Sequence, residues 1–495
     1  MSSLITSTFV RDVKWLTLAQ LFMRAKGLII IPLMTHALGS VDYGVWTQLS
    51  AVAALFMPFV IWGMNRGFIR YASGRDTSEQ LSLYHAWLIF IIAAVSFIAL
   101  PIAVFRQEIS DFVLNGADGD GNLVLFAILF CLANALFQTY TVWLQASGQS
   151  GLFSIVLVVQ SIFSLFAIIG YLIVQGSLFL LVSLTVGAEI FLVFSLLSYQ
   201  LYRHGWHRPD FSQLKLIFLF SYPLMPITFA NLGINWGDRV VLLQYMTISD
   251  IGVYNLSHAL GMMLVQTVTQ PFRSYYPARA TKLYKDGAME ELQKLYNLSA
   301  GSLMIFYVPA VIGLFFVASD FIAIMAPEEF SQGSVLLPLL FAGYAIDRMC
   351  SYNQQQLEWS YRPVWITVSL FGCFGVNFTL NTLLVPHYGL LGAGVSSVLA
   401  FALRYLFIWA LVRRKMPVRN SLGFILRILF CGFGMGLSLF LVEHFFVPMG
   451  IVQSNLLMLI LYVSCGASIY LLTLLLFGVI PRQNLGLCLQ KALRK

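Results

Sequence analysis

Stretches of about 20 apolar residues, separated by short polar segments, recur from one end of the chain to the other and leave few choices of fold. An α-helix rises 1.5 Å per residue, so each stretch is long enough to cross a bilayer core of about 30 Å. A transmembrane barrel would instead show alternating strands of about ten residues. The chain therefore reads as an all-α integral membrane protein. Composition agrees, since only 10% of its 495 residues are charged and 59% are hydrophobic, against about 25% charged in soluble domains.

Placed on the sequence, these stretches predict about fourteen membrane helices, at roughly 13–36, 44–65, 82–105, 121–146, 151–174, 177–200, 214–237, 250–271, 297–318, 334–352, 364–385, 389–412, 421–443 and 455–480. Lys and Arg concentrate on cytoplasmic connections, which tests the count. With the N-terminus inside, the inner connections and both termini hold 23 of the 29 basic residues, while the outer connections hold only Arg106 and Arg239. An even number of helices and two cytoplasmic termini are expected.

The net charge of +8 follows the loops rather than forming one soluble patch, so no nucleic-acid partner is expected. The six cysteines lie in or beside apolar segments with no CxxC or CxxH spacing, which indicates neither a disulfide framework nor a metal site. No connection exceeds about 30 residues, too few for a catalytic extramembrane domain. The inner connection 272–296, with Leu283, Leu292 and Leu295 among charges, predicts an amphipathic helix on the membrane surface, and 201–213 a second such linker. "CGFGMG" at 431–436 lacks the Gly-Lys-Ser/Thr of a phosphate loop and predicts close helix packing.

The sequence also repeats itself. "DYGVW" at 42 returns as "DIGVY" at 250, "LQASGQSGLFSIV" at 144 as "LEWSYRPVWITVS" at 357, and "GYLIVQ" at 170 as "NTLLVP" at 381, with offsets of 208, 213 and 211. This spacing carries the first six helices onto the next six with the same polarity, giving parallel repeats. The expected architecture is two parallel six-helix bundles around a central cleft plus two C-terminal helices. The corresponding divisions are residues 1–200, an interlobe linker at 201–213, 214–415, and 416–495.

Polar residues within the apolar stretches mark candidate sites. Thr17, Gln20, Arg24 and Gly27 share one face of the first helix, and Thr228, Asn231, Asn235 and Asp238 one face of the seventh. Arg24 falls ~16 Å into its helix, where a charge costs ~2.5–3.5 kcal/mol. It reads either as an anion contact lining a cavity or as an ion pair, for example with Glu189. Lys26 points ~200° away from it on the helix wheel. Asn65, Arg66 and Arg70 end the second helix, and Gln266, Gln270 and Arg273 the eighth; together they suggest a cationic vestibule suited to phosphate. Glu189 is either a coupling site or a neutral hydrogen-bond partner, and Asp238 with Arg239 either a gate or a local support. Pro223 and Pro226, in the first turns of the seventh helix, either start it or kink it, and a kink would give a bending point.

The segments "LGSVDYGVW", "SYPLMPITFANLGINWGDRVVL", "ISDIGVYNLSHAL" and "VNFTLNTLLVPHYGLLGAGVSS" resemble, in order and spacing, the Wzx-type oligosaccharide flippases of bacterial polysaccharide export. That superfamily also contains the MATE multidrug exporters and the lipid II flippase. The resemblance implies translocation of undecaprenyl-pyrophosphate-linked oligosaccharide across a bacterial inner membrane by alternating access, without ATP, cofactor or catalytic residues. It implies O-antigen or exopolysaccharide biosynthesis, with polysaccharide polymerase and export machinery as partners. The family's cationic cavity maps onto Arg24, with Arg66 and Arg273 as vestibule candidates and Gln20, Asn231 and Asn235 as polar contacts. A cation-coupled small-solute or multidrug antiporter of the same fold remains the alternative. A membrane-bound polymerase or ligase fits less well, because the outer connections are short.

Overall fold

The computed structural model describes the backbone of residues 2–114, 121–174, 176–359, 364–413, 422–445 and 454–479, and side chains over the same ranges save 2–21, 24, 25, 224, 271, 273–275 and 278. The side chains of Thr17, Gln20, Arg24 and Arg273, and the whole of Arg362 and Arg419, thus lie outside the described residues. Along the chain run α1 (Ser2–Ile61), α2 (Met64–Ala72), α3 (Thr77–Val104), α4 (Arg106–Leu114), α5 (Asn122–Ala146), α6 (Ser150–Val174), α7 (Leu178–His204), α8 (Phe211–Ser221), α9 (Met225–Tyr245), α10 (Ile248–Lys285), α11 (Met289–Met325), α12 (Gly333–Trp359), α13 (Val364–Val412), α14 (Leu422–Phe445) and α15 (Asn455–Leu476). Among the described residues there is no strand.

Two of these helices are too long for one crossing. The 60 residues of α1 and 49 of α13 would extend ~90 and ~74 Å at 1.5 Å per residue, two to three times the bilayer core. Each breaks at a glycine with positive φ, Gly39 (65°) and Gly389 (56°), a conformation L side chains resist. Pro223 and Pro226 sit where the chain bends by 62° between α8 and α9, through the short 3-10 turn Tyr222–Leu224. Among the described residues ten helices are long and apolar enough to cross a membrane, or eleven with the bent α8–α9 pair taken as one span. With α1 and α13 each broken into two, this is roughly consistent with the expected fourteen.

The chain divides into two compact units, Met1–Gly252 and Val253–Lys495. In the first, α5 is the central helix, packed by α1, α2, α3, α6 and α7. Its core is aromatic: Phe68, Tyr84, Trp87, Tyr140 and Trp143 are all buried. Phe97 on α3 and Ile173 on α6 are each 78% exposed, which suits a surface solvated by lipid rather than water. The two repeated motifs meet here. A Cβ on Gly44 of "DYGVW" would overlap the Ile248 carbonyl oxygen, and one on Gly252 of "DIGVY" the Ser40 carbonyl oxygen. Ser249 Oγ donates to Ser40 Oγ at 2.7 Å beside them. Small residues thus let two backbones touch, as they do in membrane helix packing generally.

In the second unit α12 packs against both α11 and α13, and α14 and α15 lie on α11. A Cβ on Gly432 of the "CGFGMG" run would press on the Val308 and Ile312 side chains of α11, and one on Gly436 on that of Ile312. The segment 272–296 does not form a helix of its own. Instead α10 continues to Lys285, Gly287 turns the chain at φ 71°, and α11 begins at Met289. Leu283 and Leu292 are buried in protein. Their helical periodicity was legible, but it recorded a protein contact. Trp359 Nε1 donates to Thr281 Oγ1 at 3.1 Å and its ring stacks on Tyr284, tying this extension of α10 to α12.

The glycine contact gives a direct expectation. Gly44→Val should cost about 1–3 kcal/mol by overpacking, read as a lower melting temperature of the detergent-solubilised protein. Gly170→Ala on α6, where nothing lies within 4 Å, should be neutral or stabilise by up to about 1 kcal/mol.

Candidate functional site

In the first unit a line of polar groups runs across three helices. Lys26 Nζ on α1 donates to Ser164 Oγ on α6 at 2.9 Å. One turn earlier on α6, Gln160 Nε2 donates to both carboxylate oxygens of Glu189 on α7, at 3.4 and 3.3 Å. Glu189 is buried, and the Lys26 and Glu189 charges act on each other. Ser164 and Gln160 face the same way because residues four apart share a helix face. The arrangement satisfies a carboxylate and an ammonium in a setting where an isolated charge would be costly. Lys26, which the wheel turned away from the polar stripe, is thus the basic residue among the described ones whose charge acts on Glu189.

The stripe on α9 is satisfied along its own helix. Asn231 Nδ2 donates to the Ile227 carbonyl at 2.9 Å, Asn235 Nδ2 to that of Asn231 at 2.7 Å, and Arg239 Nη1 to that of Asn235 at 2.7 Å. Each amide oxygen is by its chemistry an acceptor. Arg239, rather than Asp238, continues the run at four-residue spacing, and its guanidinium lies 4.2 Å from the Trp236 ring centroid. Asp238 and Arg239 are both buried.

The second predicted helix stops earlier than expected. It ends at Ile61, and Trp62 (φ 52°) and Gly63 (φ 65°) turn the chain before α2 begins. A left-handed tryptophan costs of order 1–3 kcal/mol and persists only where neighbours impose it. Here its ring packs on Phe218 at 5.3 Å. The break places Asn65, Arg66 and Arg70 on a separate short helix against α8, where Gly67 fits over Ser221 and Ile217. Arg66 is exposed; Arg70 is also exposed and lies 4.5 Å from the Phe220 ring centroid.

The second unit holds a charged cluster that the sequence reading passed over. Arg404 on α13 is ion-paired to Asp347 on α12 through Nη1, donates to Gln354 Oε1 at 2.8 Å through Nη2, and reaches Ser369 Oγ at 3.5 Å. Asp347 also binds Arg348 at 2.7 Å. Arg348 and Gln354 line a cavity of about 260 Å³ with Thr269, Tyr276 and Tyr352. The signal was present in the sequence: "AIDRMC" and "ALRYLF" both put charges inside apolar stretches, the pattern that marks intramembrane ionic sites. Among the described residues no group of three or more His, Cys, Asp or Glu is placed to hold a metal.

Removing one partner from a buried pair leaves an uncompensated charge. Arg404→Leu should therefore lower stability by about 3–5 kcal/mol, read as a fall in melting temperature in detergent. Asp347→Leu with Arg404→Leu should recover most of that loss, because Arg348 borders the cavity.

Comparison with known proteins joins these features to a family. Residues 33–334 match the family described as Polysaccharide biosynthesis protein. The chain is 23% identical over 401 residues to the probable low-salt glycan biosynthesis flippase Agl15 of Haloferax volcanii, covering 78% of this chain and 80% of that protein. It is 22% identical over 181 residues to the probable flippase AglR of the same organism, covering 35% and 37%. Among solved structures its fold is similar to that of the lipid II flippase MurJ in an inward closed conformation. That likeness has a TM-score of 0.74 at 15% identity, over 94% of this chain and 98% of the other. An inward-facing MATE multidrug resistance transporter is similar at a TM-score of 0.59 and 13% identity, over 81% and 94%. With its helices arranged as in those transporters and well over half its length matched, this multi-pass membrane protein belongs to the polysaccharide biosynthesis protein family.

Proposed function

We propose that the protein is a flippase for a lipid-linked oligosaccharide, carrying an undecaprenyl-pyrophosphate-linked repeat unit from the cytoplasmic to the periplasmic leaflet of a bacterial inner membrane. The family match, the two glycan-biosynthesis and flippase relatives, and the fold support this reading. The observation that carries it to a mechanism lies in α1. Lys26 is committed to Ser164 within its own bundle, and position 24 lies ~200° round the helix from it. Position 24 is an arginine, a residue well suited to a pyrophosphate, which guanidinium binds by paired hydrogen bonds.

In this reading Arg24 holds the pyrophosphate, with Gln20 one turn away and Asn231 and Asn235 offering amide oxygens to sugar hydroxyls. Arg66 and Arg273 attract the anion at the cytoplasmic side, and Asp238 and Arg239 serve as an outer gate. The repeats at 1–200 and 214–415 are the halves that alternate, with 201–213 between them. The prenyl tail stays in lipid, so the protein need lower the barrier only for the polar head. Glu189 serves as the coupling carboxylate, its charge balanced by Lys26.

Cells depleted of the protein and complemented at matched membrane abundance test the assignment. Wild type should restore surface polysaccharide, and Arg24→Ala should leave lipid-linked units on the cytoplasmic side. Arg24→Lys should restore part of the export, since it keeps the charge but not the fork. Normal export by Arg24→Ala would remove the cationic-contact mechanism. Glu189→Gln keeps the hydrogen bond to Gln160 and removes the charge; it should preserve abundance and reduce export at least several-fold, and unchanged export would make Glu189 a structural group.

A further inference from the structure

At the basic end of the first unit, the C-terminal turns of α5 and α7 and the first turn of α6 enclose a cavity of about 330 Å³ that the transport reading does not use. Its walls are Tyr140 and Trp143 of α5, Gln149 just before α6, Leu152 of α6, and Tyr199, Gln200, Arg203 and His204 of α7. Trp143 is 2% exposed and Gln200 1%. Trp143 Nε1 and Gln200 Nε2 have no hydrogen-bond partner among the described residues. Buried donors of this kind are rarely left unmade, because each costs about 1–3 kcal/mol.

Behind Gln200, His85 Nδ1 lies 3.1 Å from the His207 carbonyl oxygen and 3.2 Å from the His207 backbone nitrogen, and His85 Nε2 lies 3.3 Å from Gln200 Oε1. Gln200 Nε2 is the end of the amide without a partner among the described residues. On the same wall Arg203 Nη1 donates to the Tyr199 hydroxyl at 3.1 Å, leaving the remaining guanidinium donors available. His204 sits edge-on to Trp143 with ring centroids 5.9 Å apart. Among the described residues the lining carries an indole, a side-chain amide and a guanidinium, and no carboxylate. Such a donor set fits an acceptor-rich anion. The N-terminus of α6 favours it further, while Arg203 and His204 offset the carbonyl end of α7.

The depth of the cavity names the source of the anion. Tyr199, Tyr202 and Trp206, at and just beyond the end of α7, are 45%, 92% and 58% exposed. Exposed Tyr and Trp at a helix end mark the level of lipid head groups. We propose that this cavity is a phosphate-binding site for the head group of an anionic glycerophospholipid. Trp143 Nε1, Gln200 Nε2 and Arg203 donate to the phosphate oxygens, and Tyr140 and Trp143 flank the glycerol. The site is separate from the stripe assigned to the transported substrate, so it stands whether or not the flippase reading does.

Equilibrium binding to the purified full-length protein in detergent tests it, with dioctanoyl phosphatidylglycerol as probe, dioctanoyl phosphatidylcholine as the zwitterionic control, and sn-glycerol 1-phosphate and inorganic phosphate as soluble arms. Phosphatidylglycerol should bind saturably and at least about tenfold more tightly than phosphatidylcholine. Arg203→Gln and Trp143→Phe should each weaken it by about tenfold, the loss of one good donor. Arg203 is exposed, so its variant reports on the site even where Trp143→Phe disturbs packing. Weak binding of the soluble phosphates assigns the site to lipid; binding as tight as phosphatidylglycerol assigns it to free phosphate esters. Equal affinity for both lipids, or wild-type affinity in Arg203→Gln, would overturn the proposal.

Discussion

A bilayer core offers peptide groups no hydrogen-bond partner, and every feature of this chain answers to that. Backbone must pair within its own helix, so the described residues are helical except at turns. Hydroxyls must also find partners nearby: Thr35 donates to the Ile31 carbonyl, Thr139 to Ala135 and Thr185 to Leu181, each one turn back along its helix. Several charged side chains are gathered instead into compact sets that cross from helix to helix, Lys26 with Ser164 and Gln160 with Glu189 in the first unit, and Asp347 with Arg404, Arg348 and Gln354 in the second.

These sets do different work from the polar stripes. A buried ion pair contributes little net stability but is costly to break, so Arg404 and Asp347 tie α12 to α13 and resist their separation. On α9 the amide nitrogens of Asn231 and Asn235 bond along their own helix, and the broken second helix sends Arg66 and Arg70 along a short separate segment. Groups satisfied across helices hold a unit together.

Much of this was legible in the sequence because membrane crossing is a one-dimensional constraint. Hydropathy located the helices, and the turn in "LGSVDYG" and in "HYGLLG" is where Gly39 and Gly389 break the two longest ones. Pro223 and Pro226 marked the bend between α8 and α9. Partner choice was less accessible, since it depends on rotation and depth in three dimensions. Helical periodicity separated Lys26 from Arg24 but gave no reason to place Lys26 against Ser164. Asp347 and Arg404 are 57 residues apart, and only the packing of α12 on α13 unites them. Leu283 and Leu292 showed the right period with the wrong neighbour, because an apolar stripe is the same whether it meets lipid or protein.

The repeat was visible as "DYGVW" and "DIGVY", yet its physical meaning emerged only where Gly44 and Gly252 touch. The central claim is that this fold moves a lipid-linked oligosaccharide, and reconstitution tests it most directly. Purified protein in liposomes containing a polyprenyl-pyrophosphate-linked oligosaccharide should make the inner-leaflet sugar accessible to an external, membrane-impermeant glycosidase far faster than protein-free liposomes do. Sugar exchange no faster than in protein-free liposomes, with the same preparation transporting a cationic solute, would contradict the account and establish an antiporter instead.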